Sequence, residues 1–285
     1  MGFVCIHGSY RFANRDAMGA AALRSAGDCV QFRPDNEALL VRLKRIKDPY
    51  HLTEFGAVNL RMEGIDALEI DYTPSVKGAR PTHQPQPLAD ESRAALRADL
   101  GLNGARGFIL ARALDVHGRP VSFLFVGKPV AANGTKVHLD VGLLRKSLNW
   151  RQIAAGNAYP IFYETLFKDL RDALGAVTAR ARAAHKGLWS SDLSRRGLSA
   201  RDQSELERIA VFYPKVFRRI AEYFASGGRA LAEFIDWLAE NEARSDPVMA
   251  WNGNFTHLDN VLQFRHGKLS LKQHPEQLVF ISRRG

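Results

Sequence analysis

Cysteine is scarce. Two thiols in 285 residues, Cys5 and Cys29, cannot build a disulfide framework or a four-thiolate metal site, and leave only free thiols or a single bridge. Long apolar runs are missing as well. No segment has the length and apolarity to span a bilayer, and the N-terminus carries no apolar stretch of signal-peptide length. Met1-Gly2 opens like a myristoylation signal, but Ile6 stands where that signal requires Ser or Thr. A cytoplasmic protein with no membrane partner is therefore expected. Internal repeats and low-complexity tracts are also absent, which sets aside solenoids and disordered chains. What the chain has in excess is positive charge. A formal net charge of +10 points to polyanionic partners, nucleic acid first, although charge alone does not separate this chain from many basic soluble proteins.

The length accommodates one large domain or two ordinary ones. Val4-Cys5-Ile6, Tyr10-Arg11-Phe12 and Cys29-Val30-Gln31-Phe32 read as strands, with Ala17 to Ala26 a loop or helical turn. A short helical stretch through Leu43 is expected to be capped by Asp35 or Asn36. A polar connection over 44–56 then leads to a strand over 57–65. Residues 73–87, rich in Pro and Gly, read as an exposed loop before a helix from Leu88 to Leu100 that stops at Gly101. Gly107 to Leu114 and Pro120 to Val126 form a hairpin around Val116-His117-Gly118-Arg119. A short helix is expected near Arg151–Ala155. The spacing of Leu166, Leu170, Leu174 and Val177 predicts one long helix over Ile161–Lys186, stopped by Gly187, after which Leu188-Trp189 folds back onto the core. Residues 190–203 read as a polar linker. Two amphipathic helices follow, Glu205–Phe224 and Ala230–Asn241, the first broken at Tyr213-Pro214-Lys215. A small strand pair is expected at Val261–Phe264 and Leu278–Ile281.

The densest chemistry lies in Arg61-Met62-Glu63-Gly64-Ile65-Asp66-Ala67-Leu68-Glu69. Leu60 and Met62 alternate with Arg61 and Glu63 as on a half-buried strand. Gly64 then permits a sharp turn, placing Asp66 and Glu69 on irregular backbone. Charges this close are solvated, paired with one another, or directed at a charged ligand. Three further stations stand elsewhere: Asp28 in a Gly-Asp turn, Arg119 in a hairpin tip, and Trp189 after a long helix. Each alone reads as turn chemistry or a solvated charge.

Their order is what carries information. Gly27-Asp28-Cys29-Val30, Arg61 through Glu69, His117-Gly118-Arg119, Asn149 with Ile153, Gly156 and Ala158, and Lys186-Gly187-Leu188-Trp189 together resemble the staphylococcal nuclease (thermonuclease) family over about residues 3–190. The resemblance implies an α+β fold: an OB-fold-like five-stranded β-barrel with packed helices, over residues 1–190, followed by a mainly helical region over 191–285. It implies a Ca²⁺-dependent nuclease that hydrolyses phosphodiester bonds of DNA or RNA with water and leaves 3′-phosphates. Asp28 and Asp66 would be carboxylate ligands of the ion, with the backbone carbonyl of Ala67 a further oxygen. Glu69 would orient or deprotonate the attacking water. Arg61 and Arg119 would hold phosphate oxygens with planar forked donors. His117, Phe162 and Tyr163 fall where substrate contacts and base stacking are expected, although core packing suits the aromatics equally well.

The departures matter too. Ala26 replaces an acidic residue of the family's turn, thinning the charge around the metal. Leu68 replaces a Pro, which predicts a loosened turn between Asp66 and Glu69. Val116 and His117 stand where Lys and Tyr are common. The rival reading is a barrel that has lost hydrolysis and binds nucleic acid or protein; a third is a structural packager of nucleic acid. Retention of Asp28, Arg61, Asp66, Glu69 and Arg119 favours the enzyme. Ten of the basic residues fall within 180–219 against four acidic ones, a candidate backbone-tracking surface or a solvated helix face. Asn252, Asn254, His257 and Asp259 form a polar cluster suited to capping or loop hydrogen bonds.

Overall fold

The fold comes from a computed structural model of the full chain, which describes residues 2–11, 27–44, 49–101, 104–250 and 253–282. In chain order the barrel region contains β1 (Phe3–Arg11), β2 (Cys29–Pro34), β3 (Val58–Met62), β4 (Ile65–Asp66), α1 (Gln86–Leu100), β5 (Arg106–Leu114), β6 (Pro120–Val126) and β7 (Lys136–Val137). The helices α2 (Val141–Leu144) and α3 (Leu148–Ala155) come next, then the short strands β8 (Tyr159–Pro160) and β9 (Phe162–Tyr163), and then α4 (Lys168–Ala183). The rest comprises α5 (Gln203–Ile209), α6 (Pro214–Ala225), α7 (Phe234–Ala239), β10 (Pro247–Met249), β11 (Phe255–His257), β12 (Leu262–Arg265), β13 (Lys268–Leu271) and β14 (Val279–Phe280).

Five strands close a barrel in the order β2-β3-β6-β5-β1, with β1 returning to β2 and β7 added on the far edge of β1. All these pairings are antiparallel except β3 with β6, so the sheet is mixed. Alternation builds it: Val58, Leu60 and Met62 point inward and are buried, whereas Asn59 and Arg61 are half-buried. The result is an α+β protein with an OB-fold-like barrel and packed helices.

The described residues form two apolar cores. One fills the barrel and runs under α3 and α4, with Phe3, Phe32, Phe123, Leu148, Leu170 and Leu174 among its members. The other is shared across position 190. Leu68, Ile70, Tyr159 and Ile161 from the barrel region join Phe212, Phe217, Ile220, Phe234 and Phe280 from the chain beyond it. The sheet crosses the same line, because β14 pairs in parallel with β9.

Several local expectations change. Val4–Ile6 and Tyr10–Arg11 belong to one strand, β1; Phe12 and residues 17–26 lie outside the described residues. The long helix starts at Lys168 rather than Ile161, because Tyr159-Pro160 pairs with β4 and Phe162-Tyr163 with β14. Long-range pairing there overrides a helical pattern read from Leu166 onward. Residues 190–203 are not a linker: Asp192, Ser194, Leu198 and Ala200 are buried, and Leu198 bridges to Leu269. The segment 73–87 is not simply exposed, since Thr82 and Gln84 are buried. Near the end, β12 pairs with β13, not with 278–281, and β14 pairs with β10 and β9. The break before Pro214 is where the sequence puts it, with Pro214 in the first turn of α6. Asn36 caps the 3-10 turn Glu37–Arg42 through the Ala38 amide.

Gln84 joins the barrel to the C-terminal helices. Its amide nitrogen donates to the carbonyls of Ala210 and Phe212 at 2.8 and 2.7 Å. Its side-chain oxygen accepts from the Glu69 amide at 3.1 Å, and its own amide donates to the Glu69 carbonyl at 2.8 Å. Replacing Gln84 by Leu strands two buried carbonyls and the part-buried Glu69 amide and is expected to cost about 2–4 kcal/mol, measured as a fall in the urea midpoint at unchanged slope.

Candidate active site at the barrel end

Register brings the separate stations together. Cys29 on β2 stands opposite Arg61 on β3, so Asp28 lies one residue from that pair. Arg61 in turn stands opposite Val121 on β6, two residues after Arg119. The Asp28 turn is pinned from behind: the Asp28 carbonyl accepts from the Met62 amide, and the Gln152 side chain donates to the Gly27 carbonyl at 2.9 Å. Gly27 is required there, because a Cβ would lie 2.0 Å from the Ser92 hydroxyl of α1. Asn149, fully buried, ties β3 to β6 by donating to the Glu63 and Ser122 carbonyls while accepting from the Leu124 amide.

Asp66 is held by β4, which pairs with Tyr159-Pro160 of β8. Gly64 makes the turn into β4 with φ +79, a conformation that L side chains rarely adopt. The turn from Asp66 to Glu69 is not loosened by Ala67-Leu68. Both residues are buried, Ala67 in the barrel core and Leu68 in the second core, and Gln84 clamps the Glu69 backbone. Leu68 therefore anchors the turn on the C-terminal helices.

Arg119 is set by its hairpin. Asp115 accepts from the amides of His117 and Arg119 and from the Arg119 guanidinium at 2.8 Å. Gly118 has φ +72, and a Cβ there would lie 1.9 Å from the Pro49 carbonyl. His117 is exposed at the tip. Phe162 packs into the barrel core, 2% exposed, which favours packing over stacking on a base. Tyr163 faces the site: Arg61 lies over its ring at 5.7 Å and Lys215 at 5.8 Å. Among the described residues Arg61 has no carboxylate within salt-bridge distance and no hydrogen-bond partner; the Tyr163 ring is its contact.

One site residue has no counterpart in the sequence reading. Arg218, on α6, donates to both oxygens of Asp66, at 3.1 Å from Nη1 and 2.9 Å from Nη2, and Nη1 also bonds Glu69 Oε1. No local pattern marks it: it sits 152 residues from Asp66, and its helix reads simply as amphipathic. Its neighbours Val216, Phe217, Ile220 and Ala221 are buried, so the helix that carries it is firmly packed. Tyr213, just before α6, is fully buried with a hydroxyl that finds no partner.

The electrostatics follow from this enclosure. Burial raises the Asp28 carboxyl above its ordinary range and Asp66 adds to that, with Arg61 and Arg218 opposing. Burial raises Glu69 as well, against Arg218. The Cys29 thiol is pushed well up by burial and by Asp28, which keeps it neutral, and Cys5 and Cys29 are both free. For Tyr163, burial is outweighed by Lys215 and Arg61, which hold the phenol below its usual value.

A divalent ion fits this donor set in type but not in arrangement. Carboxylate oxygens suit a hard cation, yet Arg218 occupies both oxygens of Asp66. Among the described residues no group of three or more His, Cys, Asp or Glu is gathered to hold a metal. The basic run of 180–219 is largely engaged within the molecule. Arg182 pairs with Glu276, Lys215 and Arg219 with Asp246, Arg218 with the site, and Arg195 donates to the Leu271 carbonyl. Of the polar cluster near 252–259, Asn252 lies outside the described residues, and Asp259 accepts from the Ser245 hydroxyl. No described helix is long and apolar enough to cross a membrane.

The barrel end thus belongs to a general class, an OB-fold-like barrel with a cluster of carboxylates and guanidiniums at one end. No protein-family model matches the chain, and a search of curated proteins gives no match either.

Removing the cation while keeping side-chain bulk, as in Arg218→Met, leaves Asp66 and Glu69 close together without a counter-charge. In the presence of a chelator this is expected to cost about 3–5 kcal/mol, read from the urea unfolding midpoint.

Proposed function

We propose that the barrel end binds the phosphodiester backbone of nucleic acid and hydrolyses it. The observation that carries this reading is Arg61, a half-buried guanidinium that lacks a carboxylate partner yet lies beside Asp28 and the Tyr163 ring. Such a group is disposed to take an anion, and its planar donors match two phosphate oxygens. Arg119, 29% exposed and already oriented by Asp115, stands next to it as a second phosphate contact. The ordered motifs from Gly27 to Trp189 and the barrel closure support membership of the staphylococcal nuclease-like group.

In this scheme Arg61 and Arg119 offset the charge that builds on the non-bridging oxygens as water attacks phosphorus. Glu69 receives the water's proton. Arg218 is bonded to Oε1 of Glu69, which leaves Oε2 for that role. A new phosphorus–oxygen bond forms to the water oxygen, the bond to the 5′ oxygen breaks, and that oxygen takes up a proton from solvent as Glu69 later returns its own to solvent, giving a 3′-phosphate end. The Tyr163 ring offers a face next to the phosphate position for a base or sugar.

A second reading is favoured by one contact. Arg218 engages both Asp66 oxygens, as expected of a barrel that binds phosphodiesters without cutting them. The two readings separate in one assay. Labelled single-stranded DNA and RNA are followed for cleavage and, by anisotropy, for binding, with Ca²⁺, with Mg²⁺ and with chelator. Hydrolysis predicts that Glu69→Ser lowers cleavage by about 100-fold or more with binding retained, and that Arg61→Gln lowers both. Binding without cleavage in every condition moves the conclusion to the second reading.

A further inference from the structure

Asp66 and Glu69 would offer a divalent cation carboxylate oxygens, yet a side chain from another part of the chain is already bonded to both. The two Arg218 nitrogens lie 3.1 and 2.9 Å from the two Asp66 oxygens, and one of them also reaches Glu69. A calcium ion takes carboxylate oxygens at about 2.3–2.6 Å. An ion on Asp66 would therefore crowd the guanidinium, and two cations on one carboxylate repel at that separation. The ion and Arg218 compete for the same oxygens.

Three features make Arg218 the resident partner. First, its helix is fixed: Val216, Phe217, Ile220 and Ala221 are buried, Tyr72 donates to Glu222 at 2.7 Å, and Arg219 joins Glu222 to Asp246. Second, the chain around its target is tied to the same region, by Leu68 in the second core and by Gln84 between Glu69 and the segment before α6. Third, among the described residues no other cation nearby is bonded to these two carboxylates. Arg119 pairs with Asp115 and Lys215 with Asp246, whereas Arg61 contacts the Tyr163 ring. Arg218 is the cation that compensates Asp66 and Glu69.

We propose that Arg218 permanently takes the place of a divalent cation at Asp66 and Glu69, so that the native protein has no metal site there and works on phosphodiesters without one. The proposal deepens, and rests on, the reading of the barrel end as a phosphodiester site. It turns on one residue contributed by α6.

The test uses the full chain and needs no nucleic acid. Wild type, Arg218→Met and Arg218→Lys are titrated by calorimetry with calcium chloride up to about 5 mM, above the dissociation constants of weak protein calcium sites. Melting temperature is recorded in calcium and in chelator. The expected result is no binding heat and an unmoved melting temperature for wild type. Arg218→Met is expected to bind one ion, at least about tenfold more tightly than wild type, and to melt higher in calcium than in chelator. Arg218→Lys, a single-point donor that releases one Asp66 oxygen, is expected to fall between the two. Stoichiometric calcium binding by wild type that Asp66→Asn abolishes would overturn the proposal. So would an Arg218→Met protein that is folded by circular dichroism and binds no calcium. If Arg218→Met does not fold, Arg218→Lys decides: calcium affinity equal to that of wild type counts against the proposal. Failure of the hydrolysis reading appears separately, as absent cleavage alongside an unchanged calcium result.

Discussion

Three carboxylates brought near one another at a partly dehydrated barrel end repel, and each loses hydration on the way in. Such a cluster persists only where positive charge is held against it with good geometry. Here the bidentate contact from Arg218 to Asp66, shared with Glu69, supplies that charge. Much of the surrounding packing is consistent with keeping it in place. The buried face of α6, the second core around Leu68 and Phe212, and the Gln84 hydrogen bonds all fix the distance between the barrel and α6. A shift of about an ångström would turn two charge-assisted hydrogen bonds into an unpaired buried charge, so the tolerance is small.

The barrel supplies the other half of the arrangement by register alone. Antiparallel pairing of β2 with β3 and parallel pairing of β3 with β6 set Asp28, Arg61 and Arg119 on adjacent strands at one end. A slip of one residue in either ladder would send Arg61 to the opposite face. The buried Asn149, bonding to the Glu63 carbonyl just after β3 and to two backbone groups on β6, guards against that slip.

How far the sequence carries depends on the range of the cause. Alternation at Val58–Met62, the hairpin around Gly118 and the Gly-Asp turn are local, and they locate the barrel strands and the five charged residues. The helix over 161–186 was legible only in its second half, because Tyr159–Tyr163 is held in strands by partners roughly 95 and 115 residues away in sequence. The polar character of 190–203 concealed a buried segment, since Asp192 and Ser194 are satisfied by Tyr159 and by the Tyr213 amide rather than by water. Arg218 was invisible for the same reason. Its importance comes from what it meets across the fold, and an arginine on an amphipathic helix carries no local sign of that.

The separation of 152 residues between Asp66 and Arg218 has a consequence for how the chain acquires its structure. During synthesis the barrel strands and α1 are complete long before α6 leaves the ribosome. Over that interval Asp66 and Glu69 face each other without their guanidinium, and Leu68 and Ile70 lack the apolar surface that later covers them. A barrel that closed before α6 emerged would carry an acidic notch beside an uncovered apolar patch, the kind of surface that chaperones shield. Docking of α6 removes both features at once, so neutralising the notch and sealing the patch become one cooperative step late in folding.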